Sequence, residues 1–290
     1  MKEIETADRT NGSARTEPGG DHRGRSLSRW ALLAGVVASA TSGAAGVALG
    51  YRYRADLRAV KLAILAHPLR PPLGLGDFCG DAAKIIDRHR SQTAETVTAL
   101  KGRYENAVFG RMRVWDLVEK LALCIDPTDT RLYCASQFVH LQQILAGMER
   151  NGIEDPNMLV TAIIHDLGKV LLLTDEVPEN VVCGTGRIGD FEEGIGLDSV
   201  VYQFGHGEFI YSRIKDHVPS HIAWVVRYHN IDIRDAAPYM DARERTYAEK
   251  YLTIFQRFDG GFVSPYFQPR IDLAKYRELI EEYFPRPILF

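Results

Sequence analysis

Two residues able to do metal chemistry, His165 and Asp166, stand side by side in this chain, with Lys169 three positions further on. They directly follow the apolar run Leu159–Ile164, which predicts a buried helix. An unpaired carboxylate is costly to bury, so such groups are normally paired or bound to a metal. The pair therefore indicates a metal centre, the alternative being a hydrogen-bonded pair that only orders the core.

Further residues of ligand type lie on both sides of this pair, namely His140, His206, His229 and Asp259. Four imidazoles and two carboxylates suit iron, manganese or zinc, and a set without thiolates argues against a structural zinc site. A single histidine on an apolar helix face is more often a core residue than a ligand. The prediction of a dinuclear site therefore depends on the number and order of these residues, with Asp166 as the natural bridge.

The elements that must position these residues are helices. Apolar residues recur at helical spacing from about Ala82 onward, no run alternates as a strand does, and we predict an all-α domain. The predicted helices include Val97–Tyr104, Val114–Ile125, Gln137–Arg150, Ser199–Ile214, Ser220–Tyr228, Ala242–Phe258 and Leu273–Tyr283. The glycine-rich segment between Val170 and Leu197 is predicted to be a loop that covers or binds a substrate, a solvated connector being the alternative.

Composition bounds the function and the organisation of the chain. The net charge of -3 gives no basic field for nucleic acid, and the four cysteines form no CxxC, which argues against a disulfide framework. Residues 1–29 are polar and predicted to be disordered. Residues 30–50 carry no charge and are long enough for a membrane anchor, a cleaved targeting segment and an Ala/Gly-rich soluble helix being the alternatives. Residues 51–81 are predicted to be a linker and residues 82–290 the catalytic domain.

The order His…His-Asp…His…His…Asp resembles the HD-domain superfamily, and over roughly residues 84–290 the chain resembles inositol oxygenase more closely. The more specific likeness lies in Gly196-Leu197-Asp198 ahead of Gly205-His206, and in the ending Ile280–Pro285. The resemblance implies an HD-domain-like helical bundle around a dinuclear metal site. It also implies an oxidoreductase that uses dioxygen to oxidise myo-inositol, or a related polyol, and to open its ring to glucuronate.

The resemblance further implies a role for each site residue. One iron would be held by His140, His165 and Asp259 and the other by His206 and His229, with Asp166 bridging a mixed-valent Fe(II)/Fe(III) pair. Lys169 and Asp166 would be catalytic. The implied contacts to the small polyol substrate are Asp126, Thr128, Lys169, Cys183, Gly184, His229 and Asn230. A monomeric catalytic domain in the cytoplasm, with a membrane tether through residues 30–50, completes these expectations.

The substrate side departs from the family pattern, although the metal ligands are all present. The interval from Asp166 to His206 is shorter, Cys183-Gly184 replaces Gly-Asp, Asn230 replaces Ser, and the second substrate-side lysine after Asp259 is missing. Other functions therefore stay open. The chain could be an HD-type phosphohydrolase that binds phosphate through Lys169 and Arg187, an organophosphonate-cleaving di-iron oxygenase, or a metal-binding sensor module without activity.

Overall fold

The computed structural model describes residues 82–132, 135–264 and 267–290. The predicted disordered segment (1–29), membrane anchor (30–50) and linker (51–81) lie outside the described residues. Within them the regular structure is almost entirely helical, with one two-stranded sheet of two residues per strand, which confirms the predicted all-α class.

The described residues form eleven α-helices, and the longest connection between them runs from Ile164 to His206. They are α1 (Ala82–Arg90), α2 (Ala94–Arg103), α3 (Val114–Lys120), α4 (Gln137–Arg150), α5 (Pro156–Ile164), α6 (His206–Ile214), α7 (Ser220–Tyr228), α8 (Ile233–Ala236), α9 (Ala242–Tyr247), α10 (Thr253–Gly261) and α11 (Leu273–Tyr283). A π-helical stretch, Ala248–Leu252, joins α9 to α10. Short 3-10 helices lie at Leu121–Leu123, Leu167–Leu173, Pro178–Asn180, Leu197–Ser199 and Ala237–Tyr239.

Helix starts are set by capping residues that the sequence provides. The Asp155 carboxylate accepts a hydrogen bond from the backbone N–H of Asn157 and begins α5, where Pro156 takes the first helical position without losing a needed donor. Asp241 and Glu244 form a reciprocal capping box at the start of α9. Each cap satisfies backbone donors that the first helical turn leaves unpaired.

The centre of the described fold is α5, which packs against α4 and α7. Among the described residues only the stretch Pro156–Leu173 is long and apolar enough to cross a membrane, but 78% of it is buried inside the protein. It is therefore the core segment of the domain. The 3-10 helix Leu167–Leu173 that follows α5 packs against α6. The polar residues at the junction of α5 and this 3-10 helix therefore lie among α4, α6 and α7.

Two helix boundaries and one pair of strands differ from the prediction. The helix predicted to begin at Ser199 begins at His206, because Val200–Gly205 is extended backbone whose apolar side chains are buried without a helical turn. The helix from Val114 ends at Lys120 and tightens into a 3-10 turn. A two-residue strand, β1 (Arg111–Met112), pairs antiparallel with β2 (Ile288–Leu289), and strands this short show no alternation in a sequence.

Candidate metal centre and substrate cavity

The six predicted metal ligands meet in the middle of the domain, each from a different part of the helical framework. His140 lies in α4, His165 ends α5, Asp166 follows it, His206 begins α6, His229 ends α7 and Asp259 lies in α10. All are buried except Asp259, whose side chain is 22% exposed. Helix ends bring four of the six into place, because the side chain at a helix end leaves the helix surface towards the neighbouring elements.

Asp166 lies between two pairs of histidines and turns one carboxylate oxygen to each. Its Oδ2 is 3.3 Å from Nε2 of His165 and 3.8 Å from Nε2 of His140. Its Oδ1 is 3.2 Å from Nε2 of His206 and 3.7 Å from Nε2 of His229. This is the arrangement expected of a carboxylate that bridges two cations.

Asp259 completes the first of these two groups. Its Oδ1 lies 2.9 Å from Nε2 of His140 and 3.5 Å from Nε2 of His165, so three ligand atoms surround one position. The second group offers two imidazoles and the other oxygen of Asp166. The two positions are therefore unequal in their protein ligands.

Backbone carbonyl groups fix the orientation of three imidazole rings and the nitrogen that carries the proton in each. In each ring Nδ1 lies within hydrogen-bond distance of a carbonyl oxygen, which can only accept, so Nδ1 carries the proton and Nε2 keeps a lone pair. The pairs are His165 with Ala162 at 2.9 Å, His206 with Val181 at 2.8 Å and His229 with Val226 at 2.8 Å. All three Nε2 atoms face the centre, and Nε2 is the atom through which each ring, when neutral, would bind a metal.

The close approach of two imidazole nitrogens indicates that these residues fit metal ions. Nε2 of His206 and Nε2 of His229 are 3.1 Å apart, and with both protons on Nδ1 two lone pairs face each other. Two such lone pairs repel unless a cation lies between them. In addition, Nε2 of His165 and Oδ2 of Asp166 are buried and make no hydrogen bond to any of the described residues. Buried polar atoms normally have a partner, and a metal at each position would supply it.

The charges of the site also favour cations. Burial alone would raise the pKa of Asp166, but His165 and Lys169 hold that pKa well below its usual value. Burial likewise opposes ionisation of Asp259, and the neighbouring imidazoles of His140 and His165 keep its pKa well below the usual value. Burial lowers the pKa of His165, yet the adjacent Asp166 raises it to about 10. Without a metal this ring therefore also carries a proton on Nε2, and a metal ion would take the place of that proton. Both carboxylates are therefore ionised and attract positive charge to the position that a metal would take.

A cavity of about 330 Å³ opens onto the two groups of ligands. This volume lies at the small end of the range for sites that bind small molecules. All residues predicted to contact substrate lie on its wall: Asp126, Thr128, Lys169, Cys183, Gly184, His229 and Asn230. Their contact with a substrate stays a prediction, but the fold places all of them beside the ligands.

Comparison with known proteins identifies the family. The model of the family described as myo-inositol oxygenase matches residues 82–189 and 178–290. The chain belongs to this family. A probable inositol oxygenase of Oryza sativa subsp. japonica is 28% identical over 239 residues, covering 68% of this chain and 76% of the relative. Inositol oxygenase 1 of Arabidopsis thaliana is 26% identical with the same coverage. Inositol oxygenase of Sus scrofa is 21% identical over 240 residues, covering 68% of this chain and 83% of the relative.

The two parts of the family match meet within residues 178–189. This is the loop that the sequence predicts to be shortened, so the break in the match falls where this member departs from the family. The wall of the cavity beside His229 is formed by that loop. Asn230 holds it, donating from Nδ2 to the carbonyl of Cys183 at 2.9 Å and accepting from Oγ1 of Thr185 at 2.9 Å.

Cys183 occupies an unusual backbone conformation in this family member. Its φ of 86° lies in the left-handed region, which a side chain other than glycine adopts only at a cost. Burial raises the pKa of its thiol to about 11, so it is neutral at physiological pH. The loop therefore places a neutral, polarisable group on the cavity wall.

Some residues of the cavity were not predicted from the sequence. Asp129, Thr130 and Arg131 also line it, and Arg131 makes a two-point ion pair with Asp129 through Nε and NH2. Their position in the same loop as Asp126 and Thr128 is the clue that could have found them. The interpretation of Arg187 as a basic residue near the site is wrong, because Arg187 lies off the cavity wall, close to Asp190 and Asp235.

Proposed function

We propose that this protein is a di-iron oxygenase that uses dioxygen to oxidise myo-inositol, or a closely related polyol, and opens its ring to glucuronate. Membership of the myo-inositol oxygenase family supports the reaction class. The observation that carries the proposal is Asp166, each of whose oxygens faces a separate pair of histidine Nε2 atoms. In the overall reaction one oxygen atom enters the acid and the other leaves as water, so no further reductant is needed.

The residues assign two metal positions. His140, His165 and Asp259 would hold one iron, His206 and His229 the other, and Asp166 would bridge them. Such ions, when bound, supply redox chemistry with dioxygen and Lewis-acid polarisation of a substrate oxygen. The position with only two imidazoles and the bridge has more room for an additional ligand than the position that Asp259 completes.

The side chains and backbone of the protein would bind and orient the substrate, and they restrain the rings of the metal ligands. The three carbonyl groups that accept from Nδ1 keep the ligand rings from rotating. Asp126 faces the cavity with its Oδ1 already accepting from the backbone N–H and the hydroxyl of Thr128, at 2.8 and 2.7 Å. Lys169 adds a buried positive charge beside the bridge. A polyol hydroxyl at this wall would meet a fixed cation and a fixed anion.

Among the described residues no contact favours the alternative functions. Lys169 lies 3.0 Å from Asp126 and from Asp166, and Arg131 is engaged by Asp129. Both cations are therefore paired with carboxylates, which would repel an anionic phosphate or phosphonate group but not a neutral polyol hydroxyl. The iron pair, the cytoplasmic location, the monomeric catalytic domain and the membrane tether through residues 30–50 remain part of the proposal.

Oxygen uptake tests the proposal on the full-length protein, purified without oxygen and loaded with ferrous iron. We expect dioxygen consumption that requires myo-inositol, formation of glucuronate, and a coupled Fe(II)/Fe(III) signal by electron paramagnetic resonance after partial oxidation. Two bound irons without consumption on myo-inositol would overturn the substrate assignment. Phosphate release from phosphate esters with manganese or magnesium, and no oxygen uptake, would move the protein to the hydrolases.

A further inference from the structure

Arg131 places a second positive charge on the wall of the cavity, at a different depth from Lys169. The side chain of Lys169 is 8% exposed and its Nζ lies 3.0 Å from the bridging Asp166. The side chain of Arg131 is 52% exposed. The cavity therefore has one buried cation beside the metal positions and another cation at its mouth, within reach of solvent.

The guanidinium group of Arg131 is held from two sides. Its Nε donates to Oδ1 of Asp129 at 3.0 Å, and its Nη2 donates to Oδ2 of the same carboxylate at 3.1 Å. Its Nη1 donates to the backbone carbonyl of Gly260, the residue after Asp259, at 3.3 Å. A planar group that is already held in this way loses little freedom when it binds a ligand.

These contacts leave part of the guanidinium group without a partner among the described residues. Of its five N–H groups, Asp129 accepts from two and Gly260 accepts from one. The remaining two belong to Nη1 and Nη2, one to each, and these nitrogens are neighbours in one plane. Two N–H groups on neighbouring nitrogens suit two oxygen atoms that lie side by side.

The charges around Arg131 favour a neutral ligand. Asp129 is the main cause of the raised pKa of Arg131, and the charges of Asp259 and Asp126 raise that pKa further. These three carboxylates would repel an anion, whereas a hydroxyl oxygen is neutral and still accepts a hydrogen bond from a cation. On a polyol ring adjacent carbons each carry such an oxygen, so the free N–H groups fit two neighbouring hydroxyls.

We propose that Arg131 binds two adjacent hydroxyls of the substrate, at the edge of the ring remote from the metal positions, and so selects cyclic polyols that carry a vicinal diol there. This inference rests on the proposed function. A ring whose oxygen reaches the buried metal positions extends its far edge toward the mouth of the cavity, where Arg131 lies. Arg131 then holds the outer edge of the ring while Lys169 faces the inner one.

Arg131→Met tests the contact, because it removes every donor of the side chain and keeps an unbranched chain in its place. Calorimetric titration of myo-inositol into the ferrous protein without oxygen should show binding weakened roughly tenfold. In steady-state assays KM should rise by a similar factor while kcat changes by less than about twofold, since the contact lies away from the reacting carbon.

Arg131→Lys separates the charge from the two-point contact. Lysine keeps the positive charge but has no planar fork, so it should recover only part of the affinity that Arg131→Met loses. Full affinity in Arg131→Lys would overturn the binding of two hydroxyls.

Analogues of myo-inositol that each lack one hydroxyl locate the contact. Two of them, with the missing hydroxyls on adjacent carbons, should bind the natural protein roughly three- to tenfold more weakly than myo-inositol but bind Arg131→Met as well as myo-inositol does. Removal of any other hydroxyl should weaken both proteins equally. Equal losses in the two proteins for every analogue would overturn the inference.

Arg234→Met is the matched control. Arg234 makes the same two-point pair with Asp232, from Nε at 3.3 Å and from Nη2 at 3.1 Å. It lies off the cavity wall, with a side chain that is 89% exposed. This variant should bind myo-inositol as the natural protein does, and both methionine variants should keep the iron content of the natural protein.

The outcomes separate this contact from the proposed function. If the natural protein binds myo-inositol without consuming dioxygen, the proposed reaction fails, and weaker binding by Arg131→Met would still support the contact. If the natural protein oxidises myo-inositol and Arg131→Met binds it equally tightly, the contact is absent and the proposed function stands. If the natural protein binds neither myo-inositol nor any analogue, both fail.

Discussion

At the scale of single residues, the position of Asp166 determines how the two groups of metal ligands are joined. Its two oxygens face different histidine pairs, so one side chain serves both metal positions. The neighbouring His165 can serve only one, because its Nδ1 is bonded to the carbonyl of Ala162 and Nε2 is its one remaining ligand atom. The two adjacent residues point their side chains differently because α5 ends between them. His165 still has helical backbone angles, whereas Asp166 has φ -97° and ψ 3°.

Asp166→Asn tests the bridge. An amide has one carbonyl oxygen and no charge, so it cannot hold two cations, and we expect the iron content to fall from two ions per chain to fewer than one. Elemental analysis of anaerobically loaded protein measures this. Asp129→Asn is the control, since Asp129 lines the same cavity without being a ligand and its loss should leave two irons bound. A variant at Asp166 that retained both ions would contradict the assignment.

At the scale of elements, close backbone contact determines where His206 lies. A Cβ atom at Gly168 would lie 2.7 Å from the carbonyl carbon of His206, and one at Gly207 would lie 2.8 Å from the carbonyl oxygen of Arg227. Backbone atoms cannot move aside as a flexible side chain does. These two glycines therefore let the 3-10 helix Leu167–Leu173, α6 and α7 approach closely enough to bring their ligands together.

Gly168→Ala should displace α6 and with it His206. We expect the free energy of unfolding to fall by about 2–4 kcal/mol, as overpacking of a rigid contact does, and iron binding to weaken at the position that His206 shares with His229. Urea denaturation and elemental analysis measure the two effects. Gly102→Ala is the matched control: a Cβ there meets nothing within 4 Å and lies inside α2. That change should stabilise the protein by about 0.5–1 kcal/mol.

An ion pair between α6 and α7 should make stability depend on pH. Burial would raise the pKa of Glu208, but Arg227 and Lys101 outweigh it and hold that pKa below its usual value of 4.5. A carboxyl group whose pKa is lower when folded stabilises the fold above the unfolded pKa, and this contribution is lost as the pH falls through the folded value. The loss therefore begins below about pH 4.5.

Glu208→Gln should remove this contribution. At pH 7 we expect the variant to be less stable by about 1–3 kcal/mol, the range for a hydrogen bond to a charged group. Below pH 4.5 the difference from the natural protein should shrink, because protonation makes Glu208 neutral in both. Chemical denaturation between pH 7 and pH 3 measures the two curves. Parallel curves over this range would show that Glu208 is not the titrating group.

Sequence reasoning found the ligand residues and their helices because both have local signatures. Histidine and aspartate at the ends of apolar runs are visible without a structure, and helical spacing predicts the runs themselves. It placed the start of the helix at Ser199 because the apolar residues from Val200 to Phe204 continue the helical spacing, although they are buried as extended chain. The ion pair of Lys169 with Asp126 could not be predicted, since it joins residues that are distant in the sequence.

At the scale of the whole molecule, metal binding and folding should be coupled. The ligands come from segments that are far apart in the sequence, so an unfolded chain has no equivalent site, and any ion that binds only the folded state stabilises it. Ferrous iron at one hundred times its dissociation constant should raise the free energy of unfolding by about 2.7 kcal/mol for each position that it fills.

Scanning calorimetry without oxygen measures this coupling. We expect the Tm to rise on addition of ferrous iron and to fall back when a chelator is added, with no rise in Asp166→Asn. A Tm that is independent of iron in the natural protein would mean that the centre does not hold metal in the folded state.

The unequal exposure of the ligands has a consequence for the lifetime of the two ions. The Asp259 side chain is 22% exposed, whereas those of His140, His165, His206 and His229 are at most 3% exposed. A chelator approaching from solvent therefore meets the ion beside Asp259 first. Iron should leave in two kinetic phases, and the protein should pass through a one-iron intermediate that keeps its ion at His206 and His229.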